Sequence, residues 1–226
     1  MIKEAVSPNF DSRDGPVSLL VMHYTGMPTA RAAIDLLTSP RAKVSSHYVV
    51  DEDGTVYRLV PETLRAWHAG ISFWRGQSML NDVSIGIEIV NPGHAWGYRP
   101  FPVVQMQAVL NLSQAILARH EIPARNVVAH SDIAPNRKRD PGELFPWSWL
   151  AAQGVGLWTD EFTTSVDWRA ELAGIGYDMS LPTREVLFAF QRHFLPQHLT
   201  GEADIPTKGR MACVHQLMVD ASRDQS

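Results

Sequence analysis

The sequence predicts an α/β fold in which a mixed central sheet is flanked by helices and followed by a small all-helical domain. Short apolar runs rich in strand-forming residues alternate with segments of helical periodicity through the first two thirds of the chain, a pattern typical of mixed α/β sheets. Beyond Trp158 the helical segments continue without strands. We therefore expect two domains, at residues 1–155 and 156–226.

The first domain contains five segments with the character of strands. They are residues 17–22, 46–50, 55–60, 83–90 and 126–129. The turn sequence Asp51-Glu52-Asp53-Gly54 joins the second and third segments and predicts a hairpin at the edge of the sheet. Apolar residues at helical spacing predict helices over 29–37 and 102–120. The aromatic stretch 64–81 lacks periodicity, so we expect a long ordered loop over a site.

The tail contains three further helical segments, at residues 168–173, 183–194 and 209–220, separated by Gly and Pro. Residues 141–156, marked by Trp, Pro and Gly, form the predicted linker. A helix-turn-helix DNA-binding domain is an alternative interpretation of the tail, but no basic stripe accompanies these helices.

The composition excludes several classes of protein. With 45% hydrophobic and 19% charged residues among 226, the chain has a globular composition. A net charge of -4 does not favour a nucleic-acid partner. Cys213 is the only cysteine, which excludes a disulfide within the chain. No segment approaches the roughly 20 apolar residues of a transmembrane helix, and no protein partner is predicted.

Glu88 is the most informative single residue. The alternation of a strand places Ile85, Ile87 and Ile89 on one face, and Gly86 and Glu88 on the other. A buried, unpaired carboxylate is costly, so such a residue is paired, bound to a metal, or used in proton transfer. A structural salt bridge is the alternative. Gly86 leaves room for another group to approach this face.

Two histidines and a charged loop complete a candidate site. His23 and His130 each end an apolar strand, where α/β sheets gather ligands. Together with Asp140 they offer the two histidines and one carboxylate of a catalytic zinc site with one zinc ion per chain. Glu88 would transfer the proton, and Lys138 would stabilise an oxyanion. Histidines that only pack and a solvated basic turn are the alternatives.

Five motifs carry a resemblance to a known family. They are Met22-His23-Tyr24-Thr25, Ser46-His47-Tyr48, Trp67-His68-Ala69-Gly70, Asn81-Asp82-Val83-Ser84-Ile85-Gly86-Ile87-Glu88 and His130-Ser131-Asp132-Ile133-Ala134-Pro135-x-Arg137-Lys138-x-Asp140-Pro141-Gly142, where x is any residue. In this order they resemble motifs of the type 2 N-acetylmuramoyl-L-alanine amidases. The resemblance implies one zinc ion at positions matching His23, His130 and Asp140, with catalytic roles at positions matching Glu88 and Lys138.

The resemblance also implies a reaction and a substrate. The amide bond between the muramic acid lactyl group and L-alanine would be hydrolysed in peptidoglycan or muropeptides, as part of cell wall turnover. Two other classes of protein compete with this interpretation: a protein that recognises peptidoglycan without cleaving it, and a scaffold protein. His47 and His68 exceed the ligand count of one open zinc site, so we expect them to support it, to face the substrate, or simply to pack.

The tail resembles the helical peptidoglycan-binding module that follows the catalytic domain in some envelope amidases. The residues that carry this similarity are 187–194 and 201–204. Members with such a tail are commonly exported or lipid-anchored, which implies the periplasm or the outer membrane. The first residues lack the apolar core of a signal peptide, so the cytoplasm is the alternative.

Overall fold

The computed structural model describes residues 2–223. Its ten strands are β1 (Ile2–Glu4), β2 (Phe10–Ser12), β3 (Leu19–Tyr24), β4 (Tyr48–Val50), β5 (Val56–Arg58), β6 (Leu64–Ala66), β7 (Phe73–Trp74), β8 (Gln77–Ser78), β9 (Ser84–Ile89) and β10 (Val127–Ala129). Its eight α-helices are α1 (Ala30–Leu37), α2 (Gly93–Trp96), α3 (Val103–His120), α4 (His130–Ile133), α5 (Trp147–Ala152), α6 (Trp168–Ile175), α7 (Thr183–Phe194) and α8 (Ile205–Arg223).

The central sheet has six strands in the order β1-β5-β4-β9-β3-β10. Only the β4–β5 pair is antiparallel, so the sheet is mixed as predicted. The predicted hairpin is present, but its position at the sheet edge is wrong, because β1 pairs in parallel with β5 and forms that edge. The three residues of β1 are all exposed, which explains why no alternation of apolar and polar residues marks the strand.

One face of the sheet packs against α3. Leu20 and Met22 of β3 and Ile87 of β9 belong to the same apolar cluster as Val109 and Ile116 of the helix, and all five are almost fully buried. The stripe of apolar residues predicted over 102–120 therefore covers this face.

The opposite face is divided between two groups of helices. Leu37 of α1 packs with Val49 of β4 in one cluster. Val21 of β3 packs in another with Phe190 of α7 and Met211 of α8. The carboxyl ends of β3 and β9 open into a cleft that α1 also lines.

The stretch 64–81 is less irregular than the sequence indicates. It contains β6, which pairs with β2, and the small hairpin of β7 and β8. Helix α8 begins at Ile205, before its predicted start at residue 209. The division at residues 155 and 156 stays a prediction. No helix in the described part of the chain is long and apolar enough to cross a membrane.

Candidate active site

The candidate site lies where three neighbouring parallel strands end. The register of β3 and β9 places His23 beside Glu88, and β10 ends at Ala129, directly before His130. Adjacent parallel strands present their carboxyl ends at one edge of a sheet. The loop after α4 returns Asp140 to the same point, where its backbone oxygen accepts from the amide of Ser131 at 3.0 Å.

Three buried side-chain atoms that could bind a metal ion face one another here. His23 Nδ1 lies 2.8 Å from His130 Nδ1. Asp140 Oδ2 is 3.1 Å from His23 Nδ1 and 2.9 Å from His130 Nδ1. Between residues 2 and 223 this is the one group of three or more His, Cys, Asp or Glu residues that could hold a metal ion. Two imidazole nitrogens and a carboxylate oxygen are the ligands of several catalytic zinc sites.

A chain of hydrogen bonds determines which nitrogen of His23 carries hydrogen. The Ser84 hydroxyl donates to the Leu80 carbonyl oxygen, so Ser84 Oγ accepts from His68 Nε2 at 3.2 Å. His68 Nδ1 then has a lone pair and accepts from His23 Nε2 at 3.0 Å. In neutral His23 the lone pair is therefore on Nδ1, the atom that faces His130.

His130 is oriented in the same way by the backbone. Its Nε2 donates to the carbonyl oxygen of Ala69 at 3.2 Å, which leaves the lone pair of neutral His130 on Nδ1. The facing atoms of His23, His130 and Asp140 thus have lone pairs and no hydrogen between them. Such an arrangement is repulsive unless a cation lies among the three atoms. The three atoms therefore fit a divalent metal ion. In each histidine the other ring nitrogen, Nε2, donates a hydrogen bond, as is usual for histidines that bind a metal.

The protonation states also fit a metal. Burial, together with the neighbouring His130, lowers the pKa of His23 to about 4 against the opposing effect of Asp140. Burial alone would raise the pKa of Asp140, but the charges and hydrogen bonds of the two histidines hold it far below its usual value. Near neutral pH the site thus offers a neutral His23 imidazole and an Asp140 carboxylate, as metal binding requires.

Glu88 lies on the same face of the sheet, one strand away from His23. Its Oε2 atom is buried without a hydrogen-bond partner. Burial raises the pKa of Glu88 well above its usual value, the charge of Asp140 raises it further, and Lys138 opposes both effects. A raised pKa suits a carboxyl group that takes up a proton and passes it on. The unpartnered oxygen is evidence against a purely structural salt bridge.

Gly86 gives one histidine access to the sheet. A Cβ atom at residue 86 would lie 2.5 Å from Cγ and Nδ1 of His68, so the missing side chain allows the imidazole ring to pack on β9. His47 accepts from the Gly86 amide at 3.1 Å, and its ring meets the His68 ring edge to face. His68 therefore contacts His23 directly, and His47 contacts His68.

An open cleft of about 500 Å³ leads to these residues. Its walls include Lys138 and Tyr24 near the buried cluster and Trp67 from the aromatic stretch. Leu36 of α1 adds an apolar side. Trp74, from the same stretch, does not face the cleft: it is buried and packs against Tyr177.

Sequence reasoning missed a buried carboxyl group close to His130. Asp132 accepts from Tyr177 Oη and from His193 Nδ1, both at 2.6 Å, and from the Ala129 amide at 2.8 Å. Tyr177 and His193 come from the tail, so the tail holds the segment that contains His130. No local signal could have found these partners, which lie 45 and 61 residues away.

Comparison with known proteins identifies the family. The family Amidase_2, N-acetylmuramoyl-L-alanine amidase, matches residues 13–143, more than half of the chain. The chain belongs to this family. The amidase is 42% identical over 223 residues to N-acetylmuramoyl-L-alanine amidase AmiD of Escherichia coli (strain K12), covering 85% of this chain and 80% of the relative.

Solved structures agree with the family. The amidase superposes with a TM-score of 0.79 and 40% identity on AmiD from E. coli in complex with the substrate anhydro-N-acetylmuramic acid-L-Ala-D-gamma-Glu-L-Lys, covering 89% of each chain. AmpDh3 from Pseudomonas aeruginosa in complex with anhydromuramic pentapeptide gives a TM-score of 0.81 at 31% identity, with 89% of this chain and 92% of the other covered. The predicted α/β fold and family are confirmed. The amidase is a hydrolase of peptidoglycan or its fragments.

Proposed function

We propose that this amidase is zinc-dependent and hydrolyses the bond between the muramic acid lactyl group and L-alanine of the stem peptide. His23, His130 and Asp140 would hold one zinc ion per chain. The observation that carries the proposal is the convergence of their three lone pairs without a hydrogen between them. The substrate in the AmiD complex, which contains the muramic acid–L-alanine bond, supports the choice of bond.

The residues around the metal position have separable roles. Zinc would supply Lewis acidity for the scissile carbonyl and make a water molecule more acidic. Glu88 takes a proton from the attacking water and delivers it to the L-alanine nitrogen as the carbon–nitrogen bond breaks. Lys138 lines the same cleft, and its ammonium group can stabilise the negative charge that develops on the carbonyl oxygen.

The proposal is tested by metal analysis of the purified protein and mass spectrometry of its products. The substrate is anhydro-N-acetylmuramic acid-L-Ala-D-γ-Glu-L-Lys, and Asp140→Ala is the matched variant. We expect about one zinc per wild-type chain, free tripeptide as product, and loss of both in the variant. Metal-free protein that binds this substrate without cleaving it would instead indicate a recognition protein.

We also propose that the protein acts in the periplasm or at the outer membrane, with residues 156–226 forming a peptidoglycan-binding-like helical domain. The similarity of residues 187–194 and 201–204 to such modules supports this. Fractionation of cells that express the native gene tests the location. Recovery of the protein with cytoplasmic markers would contradict it.

A further inference from the structure

A second groove opens beside the catalytic cleft, between the loop after α4 and helix α7. Its volume is about 430 Å³. Arg137, Lys138 and Arg139 line both cavities, so the groove lies directly beside the cleft. On the far side it is lined by Arg184 and Arg192 of α7. We call this feature the cationic groove.

The charge of the cationic groove differs from that of the protein. Five cationic side chains face a single carboxylate, Glu185, whereas the whole chain has a formal net charge of -4. Like charges held close together are unfavourable in the absence of an anion. The groove therefore differs from an ordinary solvated surface, on which the signs are mixed.

Most of these cationic side chains have no hydrogen bond or salt bridge to a described residue. The side chains of Arg139 and Arg184 form no hydrogen bond or salt bridge with any residue that the structure describes. Arg192 Nε is buried without a hydrogen bond and lies 3.9 Å from the nearest Glu143 oxygen. Burial lowers the pKa of Arg192, and the positive charge of Arg139 adds to that lowering against the effect of Glu143. Arg137 differs, because it donates to backbone carbonyl oxygens.

Helix α7 holds two of the guanidinium groups in place. Arg184 and Arg192 lie four residues either side of Phe188, with their Cζ atoms 5.3 Å and 5.7 Å from the centre of its ring. Contact with the ring restricts both side chains without using their N–H donors. The N–H donors of Arg184 remain available to a ligand, and planar guanidinium groups match carboxylates in two-pronged geometry.

The proposed substrate has such carboxylates only on the peptide side of the scissile amide bond. The lactyl carboxyl group is consumed in the scissile amide, whereas a γ-linked glutamate keeps its α-carboxylate and the last residue of the peptide keeps another. We propose that the cationic groove binds the carboxylates of the stem peptide, through Arg139 of the catalytic loop and Arg184 and Arg192 of the tail. This inference rests on the proposed function. It gives the tail a role in substrate binding.

The test measures binding and hydrolysis with Arg184→Gln. The probes are the tripeptide L-Ala-D-γ-Glu-L-Lys, for calorimetry, and its anhydro-N-acetylmuramic acid conjugate, for kinetics. Each is prepared as the free acid, as either single amide, and as the diamide. Arg169→Gln is the control, because Arg169 is also exposed and lies over an aromatic ring of the tail, Trp168, but outside the groove.

We expect Arg184→Gln to weaken binding of the acid tripeptide about tenfold and to raise KM of the conjugate similarly, with kcat nearly unchanged. Wild type should bind the diamide more weakly than the acid, and amidation of the carboxylate that Arg184 binds should weaken the variant less than it weakens wild type. The single amides identify which carboxylate is bound. Arg184→Lys should restore part of the affinity, and Arg169→Gln should behave like wild type.

The inference would be overturned if Arg184→Gln weakened binding of the acid and of the diamide equally, or weakened neither. The proposed function has a separate readout, because wild type that cleaves neither conjugate contradicts hydrolysis but leaves the calorimetric comparison intact. Binding of the acid tripeptide that is indifferent to residue 184 would place the carboxylates elsewhere.

Discussion

The buried carboxyl group of Asp132 allows a quantitative prediction. Tyr177→Phe deletes one hydroxyl group that is 2.6 Å from Asp132 Oδ1 and leaves the shape of the side chain unchanged. Both residues are almost completely buried, so water cannot replace the lost donor. Removing one partner of a buried hydrogen bond costs about 1–3 kcal/mol.

The expected change in melting temperature follows from the length of the chain. For 150–250 residues, each kcal/mol lowers Tm by about 2–4 °C. A loss of about 2 kcal/mol should therefore lower the Tm of Tyr177→Phe by about 4–8 °C. Calorimetric melts in excess zinc and in chelator provide the measurement, since a ligand that binds only the folded state raises Tm by mass action.

Two results bear on the role of this hydrogen bond. If Asp132 helps to orient His130, zinc should raise Tm less in Tyr177→Phe than in wild type. Tyr57→Phe is the control, because the Tyr57 hydroxyl has no hydrogen bond to another described residue, and its Tm should stay near that of wild type. The smallest expected loss of about 1 kcal/mol corresponds to about 2–4 °C, so a Tm of Tyr177→Phe within about 1 °C of wild type would refute the reasoning.

Three further predictions concern the site and its support. Glu88→Gln should lower kcat by about 100-fold or more while bound zinc stays near one per chain; loss of the metal would instead make Glu88 a structural support. Gly86→Ala should lower the free energy of unfolding by about 1–3 kcal/mol, because its Cβ would clash with His68, and an unchanged melt would contradict that contact. Burial would raise the pKa of Glu62, but hydrogen bonds led by Arg119 hold it at about 2. A depressed pKa contributes stability that is present above the unfolded value near 4.5 and is lost as pH falls towards 2. Glu62→Gln should therefore lose less stability than wild type across that window in acid titrations followed by circular dichroism, and parallel curves would exclude the effect.

The central strands could be predicted from the sequence because their signals are local. Runs such as residues 17–22 and 83–90 are mostly apolar on both faces, so they are recognised without knowledge of their partners. The isolated carboxylate of Glu88 and the glycine at residue 86 indicated a site on one face, and the structure places His23 and His68 there. Strand alternation was enough to assign that face.

The parts that could not be predicted depend on distant partners. Edge strand β1 is short and exposed, so its parallel pairing with β5 left no pattern in the sequence. Four histidines without a recognisable partner in the sequence contact carboxylates in the structure. These pairs are His94–Glu143, His120–Glu62, His193–Asp132 and His198–Asp204. Residue type alone does not distinguish such histidines from solvated ones.

The tail contributes to the site in three physically different ways. Its helices α7 and α8 cover Val21 on the face that carries His23. Tyr177 and His193 hold Asp132 two residues from His130, and Arg184 lines the cationic groove beside the cleft. Because a sheet face needs apolar cover before polar groups at its edge can be fixed in position, the first contribution is a condition for the other two. Residues 156–226 are thus part of the architecture of the site, whether or not they also attach the enzyme to the wall.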